Sequence, residues 1–377
     1  MTKYKFDEIA INSTQKKKPT EEDKVYYIGL EHIDPGCFDV VRWGSDVAPT
    51  GDKLLMQKGD VLFGKRRAYQ RKVAIAPFDG IFSAHGMVLR PNLKVIDANY
   101  FPFFISSDKF METAVRISVG GLSPTINWKD LARQEFELPS LDEQKVLADK
   151  LWAAYRLKEA YKKLLVATDE MVKSQFIEMF GNPLSLNQKN ELKRLGECCI
   201  LNPRRPNIAL CDTDKVSFIP MSAISEEGYL ADMTDEEYGK VKKGFTYFEN
   251  NDVLFAKITP CMENGKGAIV HGLTNRIGMG STEFHVLRPI NGISSPYWLL
   301  ALTRMPIFRE RAAKNMSGTG GQKRVSASYL DHFMVGLPAI EEQRRFEAIY
   351  KQADKSKFEL RKSIDAIDKV IRSLING

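Results

Sequence analysis

Three short motifs of this chain occur twice, in the same order and at nearly constant spacing. Each copy contains a D-V-L-F segment, a V-L-R-P segment and an L-P segment that leads into Glu-Gln. The copies lie at residues 59–65 and 251–257, 88–91 and 286–289, and 138–144 and 337–343. The offsets are 192, 198 and 199 residues (251 − 59, 286 − 88 and 337 − 138). Collinear repetition over most of a chain predicts two copies of one structural unit.

The composition is that of a folded protein from a reducing compartment. The 377 residues are 43% hydrophobic and 27% charged, which is sufficient for two ordinary domains with apolar cores. The net charge of +7 and the pI near 8.9 suit an anionic partner. The five cysteines are odd in number and form no C-x-x-C pair. No apolar run approaches the roughly 18 residues of a membrane span, and the first residues lack a signal-peptide core. We therefore expect a cytoplasmic protein.

Each copy contains short strand-like segments separated by turn residues. Segments rich in β-branched and aromatic residues lie at 25–30, 60–63, 73–76 and 86–89, and again at 216–219, 252–255, 267–270 and 284–287. Glycine and proline between them mark turns. One helix is expected near 98–116 and another near 295–315. The sequence therefore predicts an α+β protein with two similar mixed α/β domains, at residues 1–139 and 182–338.

A long helix is expected after each domain, at residues 140–181 and 339–377. Both begin after a proline with acidic residues in the first turn, which suits the positive end of a helix dipole. Apolar residues recur at alternating steps of four and three, the spacing of a coiled-coil seam. The predicted seam residues are Leu147, Leu151, Ala154, Tyr161, Leu165 and Val172 in the first helix and Phe346, Tyr350, Leu360, Ile364, Ile367, Ile371 and Leu374 in the second.

A lysine occupies the same seam position in each helix, at Lys158 and Lys357. A parallel pairing in equivalent register would oppose these two charges at a buried position, which is costly. An antiparallel pairing with position 147 opposite 374 instead places Lys158 near Ser363 and Lys357 near Leu164. We therefore expect an antiparallel coiled coil with pseudo-two-fold symmetry, about 60 Å long for helices of about 40 residues. Domains attached at its opposite ends suit two half-sites on a duplex.

The α+β domain, the L-P-x-x-x-E-Q helix start, the long seam and the repetition of all three resemble the specificity subunit of a type I restriction-modification system. The best motifs are residues 138–144 and 337–343 with the seams that follow them. The resemblance implies two target recognition domains, each binding one half of a bipartite double-stranded DNA sequence. It also implies that the helices set the spacing and dock methyltransferase (modification) subunits, which we expect to number two. Restriction (translocase-nuclease) subunits would join the full complex, and the chain itself would be non-catalytic and without a cofactor.

The densest basic run of the sequence, residues 65–72, lies between two predicted strands. Lysine and arginine suit phosphate contacts, and arginine and glutamine also suit hydrogen bonds to base edges. The alternative is a solvated hairpin loop without a partner. Because the run falls in an expected recognition domain, we predict DNA contacts from Lys65, Arg66, Arg67, Tyr69, Gln70, Arg71 and Lys72.

The second copy differs at the corresponding positions. Residues 257–266 are far less basic and offer Lys257 and Lys266, so the two domains are expected to recognise different sequences. A glycine-rich segment at 317–324 lacks the spacing of a nucleotide-binding P-loop, and its counterpart at 118–125 contains no lysine. One interpretation places its backbone amides near DNA phosphate, together with Gln322, Lys323 and Arg324. The other interpretation is a plain glycine turn.

Other classes of function find less support. No cysteine or carboxylate pair stands at ligand spacing near His85 or His285, so no metal site is expected. The E-x-K pattern of many nucleases occurs at 143–145 without an upstream P-D motif, and residues 182–185 and 202–205 only half resemble the N-P-P-[YF] motif of amino-methyltransferases. A scaffold that never touches nucleic acid and the recognition module of a single-chain restriction-methylation enzyme stay open as alternatives. The start at Met1 and the complete second helix favour a whole subunit over a fragment.

Overall fold

The chain divides into two compact units. The computed structural model describes residues 1–181, 190–319 and 321–376. Unit 1 comprises Met1–Lys162 and Arg361–Gly377, and unit 2 comprises Lys163–Leu360. Each unit therefore combines one α+β domain with a segment of both long helices. The partial methyltransferase-like motif at 182–185 lies outside the described residues. None of the described helices is long and apolar enough to cross a membrane.

Unit 1 contains two four-stranded sheets and one two-stranded sheet. Its elements are β1 (Thr2–Lys5), α1 (Phe6–Ile9), β2 (Ala10–Ser13), β3 (Lys16–Lys17), β4 (Tyr27–Ile28), β5 (Lys53–Met56), β6 (Val61–Phe63), β7 (Val73–Ile75), β8 (Gly80–Phe82), β9 (Met87–Pro91), α2 (Phe101–Ser106), α3 (Asp108–Arg116), α4 (Trp128–Ala132), β10 (Glu135–Leu138) and the first part of α5 (Leu141–Phe180). One sheet is antiparallel with the order β2-β9-β6-β7. The other has the order β3-β5-β8-β4, and β1 pairs with β10 at the start of α5.

Unit 2 repeats this arrangement. Its elements are β11 (Glu191–Arg194), α6 (Leu195–Cys198), β12 (Cys199–Leu201), β13 (Lys215–Ile219), β14 (Thr234–Glu237), α7 (Tyr238–Val241), β15 (Thr246–Glu249), β16 (Val253–Ala256), β17 (Gly267–Ile269), β18 (Ile277–Gly280), β19 (Phe284–Pro289), α8 (Pro296–Arg304), α9 (Pro306–Lys314), α10 (Ala327–Asp331), β20 (Met334–Leu337) and most of α11 (Ile340–Asn376). The sheet orders are β12-β19-β16-β17, β14-β13-β18-β15 and β11-β20.

The two units differ at the edge of their second four-stranded sheet. Three strands are shared, because β8 pairs antiparallel with β5 and parallel with β4, just as β18 pairs antiparallel with β15 and parallel with β13. The fourth strand is added on opposite sides. It is β3, beside β5, in unit 1 and β14, beside β13, in unit 2. The repetition therefore holds for the inner strands and not for the edge.

The single helix expected near 98–116, and again near 295–315, is two helices in each unit. In unit 1 the break falls at Ser107, whose side chain accepts a hydrogen bond from the backbone N–H of Phe110 at 3.2 Å and caps α3. In unit 2 it falls at Met305, directly before Pro306, which has no N–H to continue the helix. The sequence-based expectation was therefore wrong in both places, because a local cap or proline ends the first helix.

The aspartate and the arginine that recur in the motifs form an ion pair with each other in each unit. Arg90 donates to both carboxylate oxygens of Asp60, at 2.7 and 2.9 Å, and Arg288 does the same to Asp252, at 2.8 and 2.8 Å. The arginine and the aspartate lie on or beside neighbouring strands, β9 with β6 and β19 with β16. Both carboxylates are buried. A bidentate ion pair of this kind is strong and geometrically specific. The repeated aspartate and arginine therefore stabilise the sheet.

A buried glutamine fixes the start of each long helix to its domain. The side chain of Gln144 accepts from the N–H of Asp97 at 2.8 Å and donates to the carbonyls of Val95 and Pro139 at 3.1 and 2.9 Å. Gln343 makes the same three bonds, to Ser295 at 2.8 Å, Ile293 at 3.0 Å and Pro338 at 2.8 Å. Both glutamines are fully buried. The Glu-Gln of the repeated motif therefore has a structural role at the root of the helix.

The glutamate before the glutamine caps the helix it begins. Glu143 accepts from both the N–H and the hydroxyl of Ser140, at 2.9 and 2.8 Å, and these bonds lower the pKa of its carboxyl. This is the reciprocal arrangement of a capping box. The E-x-K pattern at 143–145 thus has a structural explanation that involves no catalysis.

Within unit 1, α11 packs antiparallel on α5. The apolar side chains of Ile371 and Leu374, like that of Leu147, pack against the core cluster that contains Leu151. Further along the pair, the ammonium of Lys158 lies 2.6 Å from a carboxylate oxygen of Asp368. The side chain of Lys158 is only 11% exposed. The lower-numbered residues of α5 therefore contact the higher-numbered residues of α11.

Within unit 2 the same two helices pack antiparallel through their other segments. Phe346 contacts Phe176 and Phe180, with ring centroids 5.3 and 5.5 Å apart. The ammonium of Lys357 lies 3.5 Å from a carboxylate oxygen of Asp169, and its side chain is 3% exposed. Asp354, one turn earlier on α11, adds a second carboxylate at 3.4 Å.

The two lysine pairs are equivalent under the internal repeat. Lys357 and Asp368 follow Lys158 and Asp169 at the same offset of 199 (357 − 158 and 368 − 169). From the sequence, Ser363 and Leu164 were placed near these lysines, and the carboxylates of Asp368 and Asp169 that contact them were not identified. A buried charge needs such a partner. All thirteen predicted seam residues are buried or half-buried, and none is exposed.

Candidate nucleic-acid interface

In unit 1 the basic run predicted to contact DNA lies beside the counterpart of the glycine-rich segment at 317–324. We call residues 65–72 the first basic loop and residues 118–125 the first glycine loop. The N–H of Arg67 donates to the carbonyl of Pro124 at 2.8 Å, and the N–H of Ile126 donates to the carbonyl of Lys65 at 3.0 Å. A β-bridge joins Arg66 to Thr125. Segments more than 50 residues apart in sequence thus form one surface.

The backbone of the first basic loop turns sharply and presents its middle to solvent. Arg67 and Arg71 both have positive φ, 56° and 53°, and flank a single 3-10 turn at Ala68–Gln70. Ala68 is buried beneath the turn, whereas Arg67 and Tyr69 are exposed. Arginine at positive φ is uncommon and locally strained. The fold therefore holds one cation and one aromatic ring outward, next to the glycine loop.

Two of the predicted contact residues are already held by the protein. The guanidinium of Arg71 lies 2.6 Å from a carboxylate oxygen of Asp108 and donates to the carbonyl of Ser106 at 2.8 Å. The ammonium of Lys72 donates to the carbonyl of Leu30 at 2.6 Å. Gln70 is half-buried in the turn. These three side chains are less available for a ligand than Arg67 and Tyr69.

The positive charge of this surface extends beyond the basic loop. Burial and the charge of Lys16 lower the pKa of Lys65. Burial, followed by the charges of Arg66, Lys65 and Lys53, lowers the pKa of His85. Lys16, Lys53 and His85 were not predicted from the sequence. The Lys-Lys-Lys run at 16–18 was the signal for the first of them, but its distance in sequence from residue 65 hid the connection.

Arg66 lies between the histidine and the glycine loop. Its guanidinium donates to the hydroxyl of Ser123 at 3.1 Å and lies 3.5 Å from Nε2 of His85. Arg67 donates to the same hydroxyl at 3.1 Å. Two guanidinium groups thus converge on one neutral oxygen. Among the described residues, no carboxylate forms an ion pair with either guanidinium, and an anionic ligand would stabilise the pair.

Unit 2 brings the corresponding segments together with a different side-chain set. We call residues 257–266 the second loop and residues 317–324 the second glycine loop, of which Gly320 lies outside the described residues. The N–H of Val325 donates to the carbonyl of Lys257 at 3.0 Å, and the N–H of Thr259 donates to the carbonyl of Lys323 at 3.0 Å. Gln322 and Lys323 are exposed, while Lys257 and Lys266 are half-buried.

Arg324 is neutralised by an ion pair. Its Nε and Nη2 donate to the two carboxylate oxygens of Glu283, both at 2.8 Å. These bonds lower the pKa of the Glu283 carboxyl. At an offset of 198, Glu283 corresponds to His85 of unit 1. The matching position thus carries a carboxylate in one unit and an imidazole among cations in the other, so the two surfaces differ strongly in charge.

The glycine loops require glycine for their backbone. Gly120 and Gly318 have φ of 115° and 139°, a region that side chains rarely enter. At Gly318 an added Cβ would lie 2.4 Å from the carbonyl oxygen of Gln322. The plain-turn interpretation therefore accounts for the glycines themselves. The flanking side chains Gln322 and Lys323 are free of that constraint.

His285 has an ordinary structural environment. Nε2 of His285 donates to the carbonyl of Val325 at 2.9 Å, and Nδ1 lies 3.0 Å from Nδ2 of Asn202. Burial lowers the pKa of His285.

Among the described residues, Cys37, Asp39 and Glu159 bring three potential metal-ligand atoms within 4.8 Å of one another. Glu159 already accepts a hydrogen bond from Lys162 at 2.8 Å.

Comparison with known proteins gives the family of the chain. Residues 3–165 and 187–367 match the family described as type I restriction modification DNA specificity domain. The chain belongs to this family. Each copy of the internal repeat thus corresponds to one copy of the family domain, which accounts for the duplicated motifs.

Curated relatives in the family are specificity subunits of type I restriction enzymes. The EcoAI subunit of Escherichia coli is 36% identical over 169 residues, which are 44% of this chain and 29% of the relative. The EcoEI subunit of the same organism is 33% identical over 199 residues, 51% of this chain and 33% of the relative. The matches therefore span about a third of the length of these relatives.

Solved structures share the fold across the whole chain. A chain of a type I restriction-modification system, solved in work on complex assembly and conformational transition, has a TM-score of 0.54 at 16% identity, with 99% of this chain and 96% of that chain covered. The S subunit of such a system from M. genitalium has a TM-score of 0.57 at 16% identity, with 99% and 94% covered. At this identity the likeness concerns the fold alone, which is two α+β domains each followed by a long helix.

Proposed function

We propose that this chain is the DNA-binding specificity subunit of a type I restriction-modification complex. The observation that carries the proposal is that a basic loop pairs with a glycine loop in unit 1, and the matching loops pair in unit 2. Both pairs lie on a scaffold whose inner strands and helix starts are repeated. The scaffold keeps its ion pairs and buried glutamines in both copies, whereas the paired loops differ in charge. A protein that recognises two different half-sites needs this combination of a constant scaffold and variable contact surfaces.

The proposed division of labour follows the repeat. Residues 1–139 and 182–338 form the two target recognition domains, and residues 140–181 and 339–377 form the spacer helices. In the first domain Arg66, Arg67 and Tyr69 make the main contacts with DNA, supported by Lys65. In the second domain the contacts come from Gln322 and Lys323, with smaller contributions from Lys257, Lys266 and Arg324. Basic side chains supply phosphate contacts, and arginine and glutamine supply base-edge hydrogen bonds.

The chain acts in this proposal as a non-catalytic component. It recruits methyltransferase subunits, two per complex, along its helices, and restriction subunits join the full assembly. The names of the relatives, all specificity subunits, support this assignment. Its five cysteines are unpaired, which suits the reducing cytoplasm. Purified chain incubated with DNA and S-adenosylmethionine, or with ATP and magnesium, should neither methylate nor cleave; activity of the chain alone would contradict the assignment.

The decisive experiment maps adenine methylation in a host that expresses this chain with its methyltransferase partner. The expected result is a bipartite motif, with two short specified halves around an unspecified spacer of fixed length. A single contiguous palindrome would overturn the proposal. Because an asymmetric target follows from the different loops, the two halves should also differ in sequence.

A second experiment separates the spacer from the half-sites. One heptad is inserted into each helix, after Leu164 in α5 and after the equivalent Ser363 in α11, so that the seam stays in phase. Seven helical residues add about 10 Å, which is about 3 base pairs of duplex. The spacer should lengthen by about that amount, or binding should be lost, while the half-sites stay the same. A change in half-site sequence would contradict the proposed roles.

A further inference from the structure

Unit 2 has a small pocket where three of its helix segments meet. The pocket has a volume of about 220 Å³ and lies between the last turns of α5, the junction of α8 with α9, and α11. Its apolar wall consists of Val172, Phe176, Ile177, Ala301, Met305 and Pro306. Pockets for drug-sized ligands start at about 300 Å³, so this one suits a smaller molecule. None of the residues proposed to contact DNA lines it.

Three buried polar groups of this pocket have no hydrogen-bond partner among the described residues. They are Nε of Arg304, Nε of Arg309 and the hydroxyl of Tyr350. The Tyr350 side chain is 2% exposed, and burial raises the pKa of its hydroxyl to about 12. The hydroxyl is therefore protonated at neutral pH and can donate. A buried donor without an acceptor is costly, so three such groups in one pocket indicate an acceptor from outside the chain.

Backbone carbonyls hold both guanidinium groups in place. Arg304 donates through Nη2 to the carbonyl of Glu226 at 3.1 Å, and Arg309 donates through Nη1 to the carbonyl of Glu263 at 2.7 Å. Glycine permits the second of these close approaches, because a Cβ at Gly265 would lie 2.9 Å from Nη1 of Arg309. Within the described part of the chain, no carboxylate forms an ion pair with either arginine, so neither charge is neutralised by direct contact.

Positive charge predominates in the pocket. Arg304, Arg309 and Lys173 line it together with one carboxylate, that of Asp169. This carboxylate is already shared, since it lies 3.1 Å from the ammonium of Lys173 and 3.5 Å from that of Lys357. Burial, followed by the charge of Arg304, lowers the pKa of Arg309, which reflects repulsion between the two guanidinium groups. An anion between them would relieve this repulsion.

The repeated scaffold does not require these polar groups. α3 and α9 have nine residues each and correspond at an offset of 198 (306 − 108), so Arg309 corresponds to Met111. At the offset of 199 of the long helices, Tyr350 corresponds to Leu151. Met111 and Leu151 both belong to the apolar core of unit 1. Unit 1 thus fills the matching positions with apolar side chains, which favours a role of the polar ones beyond folding.

We propose that this pocket binds a small amphiphilic anion, whose carboxylate or phosphate group accepts hydrogen bonds from both guanidinium groups and from the Tyr350 hydroxyl. Arginine is well suited to bind either oxyanion. The short apolar body of the ligand lies against Phe176 and Met305, because the wall of the pocket is otherwise apolar. The inference goes beyond the proposed function, and its test requires neither DNA nor a partner subunit, so either can fail without the other.

Isothermal titration of the full chain with four probes tests the two parts of the ligand. Octanoate and octyl phosphate carry an anion and an apolar body, 1-octanol carries the body alone, and sulfate carries the anion alone. At least one amphiphilic anion should bind at a single site with a Kd below about 1 mM, and the tighter of the two identifies the head group. Octanol and sulfate should bind at least about tenfold more weakly, because each lacks half of the contacts.

The titrations can overturn the proposal in three ways. Absence of saturable binding by both octanoate and octyl phosphate would show that the pocket takes no amphiphilic anion. Equal binding of 1-octanol would show an apolar cavity in which the guanidinium groups have no part. Equal binding of sulfate would show a bare anion site in which the apolar wall has no part.

Two variants of α9 locate the binding site. Arg309→Met introduces the residue of unit 1 and should weaken binding of the tighter amphiphilic anion at least about tenfold, because a charge-assisted contact is lost. Lys314→Met is the matched control, since it removes an exposed cation of the same helix that does not line the pocket, and binding should stay unchanged. Insensitivity to Arg309→Met, or an equal effect of the control, overturns the proposal.

Tyr350→Phe separates binding from a structural role. It removes only the hydroxyl, which has no partner in the free chain, so the thermal midpoint without ligand should stay the same or rise. The affinity for the tighter amphiphilic anion should nevertheless fall several-fold. Unchanged affinity, or a lower midpoint of the ligand-free variant, would assign the hydroxyl to the fold and overturn the proposal.

Discussion

The buried glutamine at the root of α11 allows a quantitative prediction. Gln343→Leu keeps a side chain of similar size but removes three hydrogen bonds, with Ser295, Ile293 and Pro338. Each buried polar group left without a partner costs about 1–3 kcal/mol, and the more apolar leucine returns about 1–2 kcal/mol. The free energy of unfolding should therefore fall by about 3 kcal/mol or more. The equivalent change Gln144→Leu should cost a similar amount in unit 1.

Urea unfolding followed by circular dichroism measures this loss, and hydrogen exchange locates it. The midpoint should fall at an unchanged slope, and amide exchange should rise around residues 293–295 and at the start of α11. Gln352→Leu is the matched control, since Gln352 is an exposed glutamine of the same helix. Its free energy of unfolding should stay within about 0.5 kcal/mol of wild type. A loss below about 1 kcal/mol for Gln343→Leu, or a loss equal to that of the control, would refute the argument.

A conservative variant tests the same bonds by pH. Gln343→Glu keeps the oxygen that accepts from Ser295 but turns the donor toward Ile293 and Pro338 into a second acceptor. The ionised carboxylate then faces two carbonyl oxygens, so burial and repulsion raise its pKa in the folded state above the ordinary value near 4.3. Stability relative to wild type is therefore lost as the pH rises from about 4 toward neutrality, and acid should restore it. Equal stability differences at pH 5 and pH 7 would contradict this assignment of donor and acceptor.

Three further predictions concern charges. Asp368→Ala removes the carboxylate that contacts the buried ammonium of Lys158 and should lower the free energy of unfolding by about 2 kcal/mol. In a double-mutant cycle, the additional change Lys158→Met should restore most of this free energy. No recovery would contradict the pairing. Arg67→Ala should weaken DNA binding several-fold and reduce the slope of log binding constant against log salt concentration by about 1. Arg71→Ala should have a smaller effect, because an ion pair holds its guanidinium. DNA titrations at several salt concentrations compare the two variants, and a larger effect of Arg71→Ala would reject the assignment. Burial lowers the folded-state pKa of His285, so below pH about 6.5 the unfolded chain binds a proton that the folded chain does not, and stability falls toward pH 5. His285→Met should reduce this fall of the thermal midpoint with decreasing pH. An unchanged pH dependence of the midpoint would show that this histidine is not responsible.

Much of the scaffold follows from the sequence because repeated letters report repeated contacts. The aspartate of D-V-L-F and the arginine of V-L-R-P recur together because they form one ion pair, Asp60 with Arg90 and Asp252 with Arg288. The seam residues recur because both helices bury the same face. The sequence also favoured the antiparallel pairing, since a parallel pairing in equivalent register would oppose the two seam lysines. These features depend on local periodicity or on the internal repeat, and both can be recognised in the amino-acid sequence alone.

The candidate site was less predictable because it depends on long-range contacts. The basic run at 65–72 was identifiable, but not that Asp108 holds Arg71 or that Lys16 and Lys53 add charge beside Lys65. Arg324 was predicted as a contact, and only the fold reveals its ion pair with Glu283. The carboxylates that contact the two seam lysines were missed for the same reason. Spacing within one helix does not show which side chain of the other helix reaches a buried ammonium.

Unit 1 is assembled from both ends of the sequence, and this has a consequence for biosynthesis. Its first segment ends at Lys162, but its second begins only at Arg361, whereas unit 2 is continuous. A ribosome adds roughly 5–20 residues per second, so the first segment waits roughly 10–40 s for Ile371 and Leu374 to cover the seam face of Leu147 and Leu151. The unit translated first is therefore the last to be completed. During that interval the seam face lacks this cover, and we expect the nascent chain to bind chaperones through it.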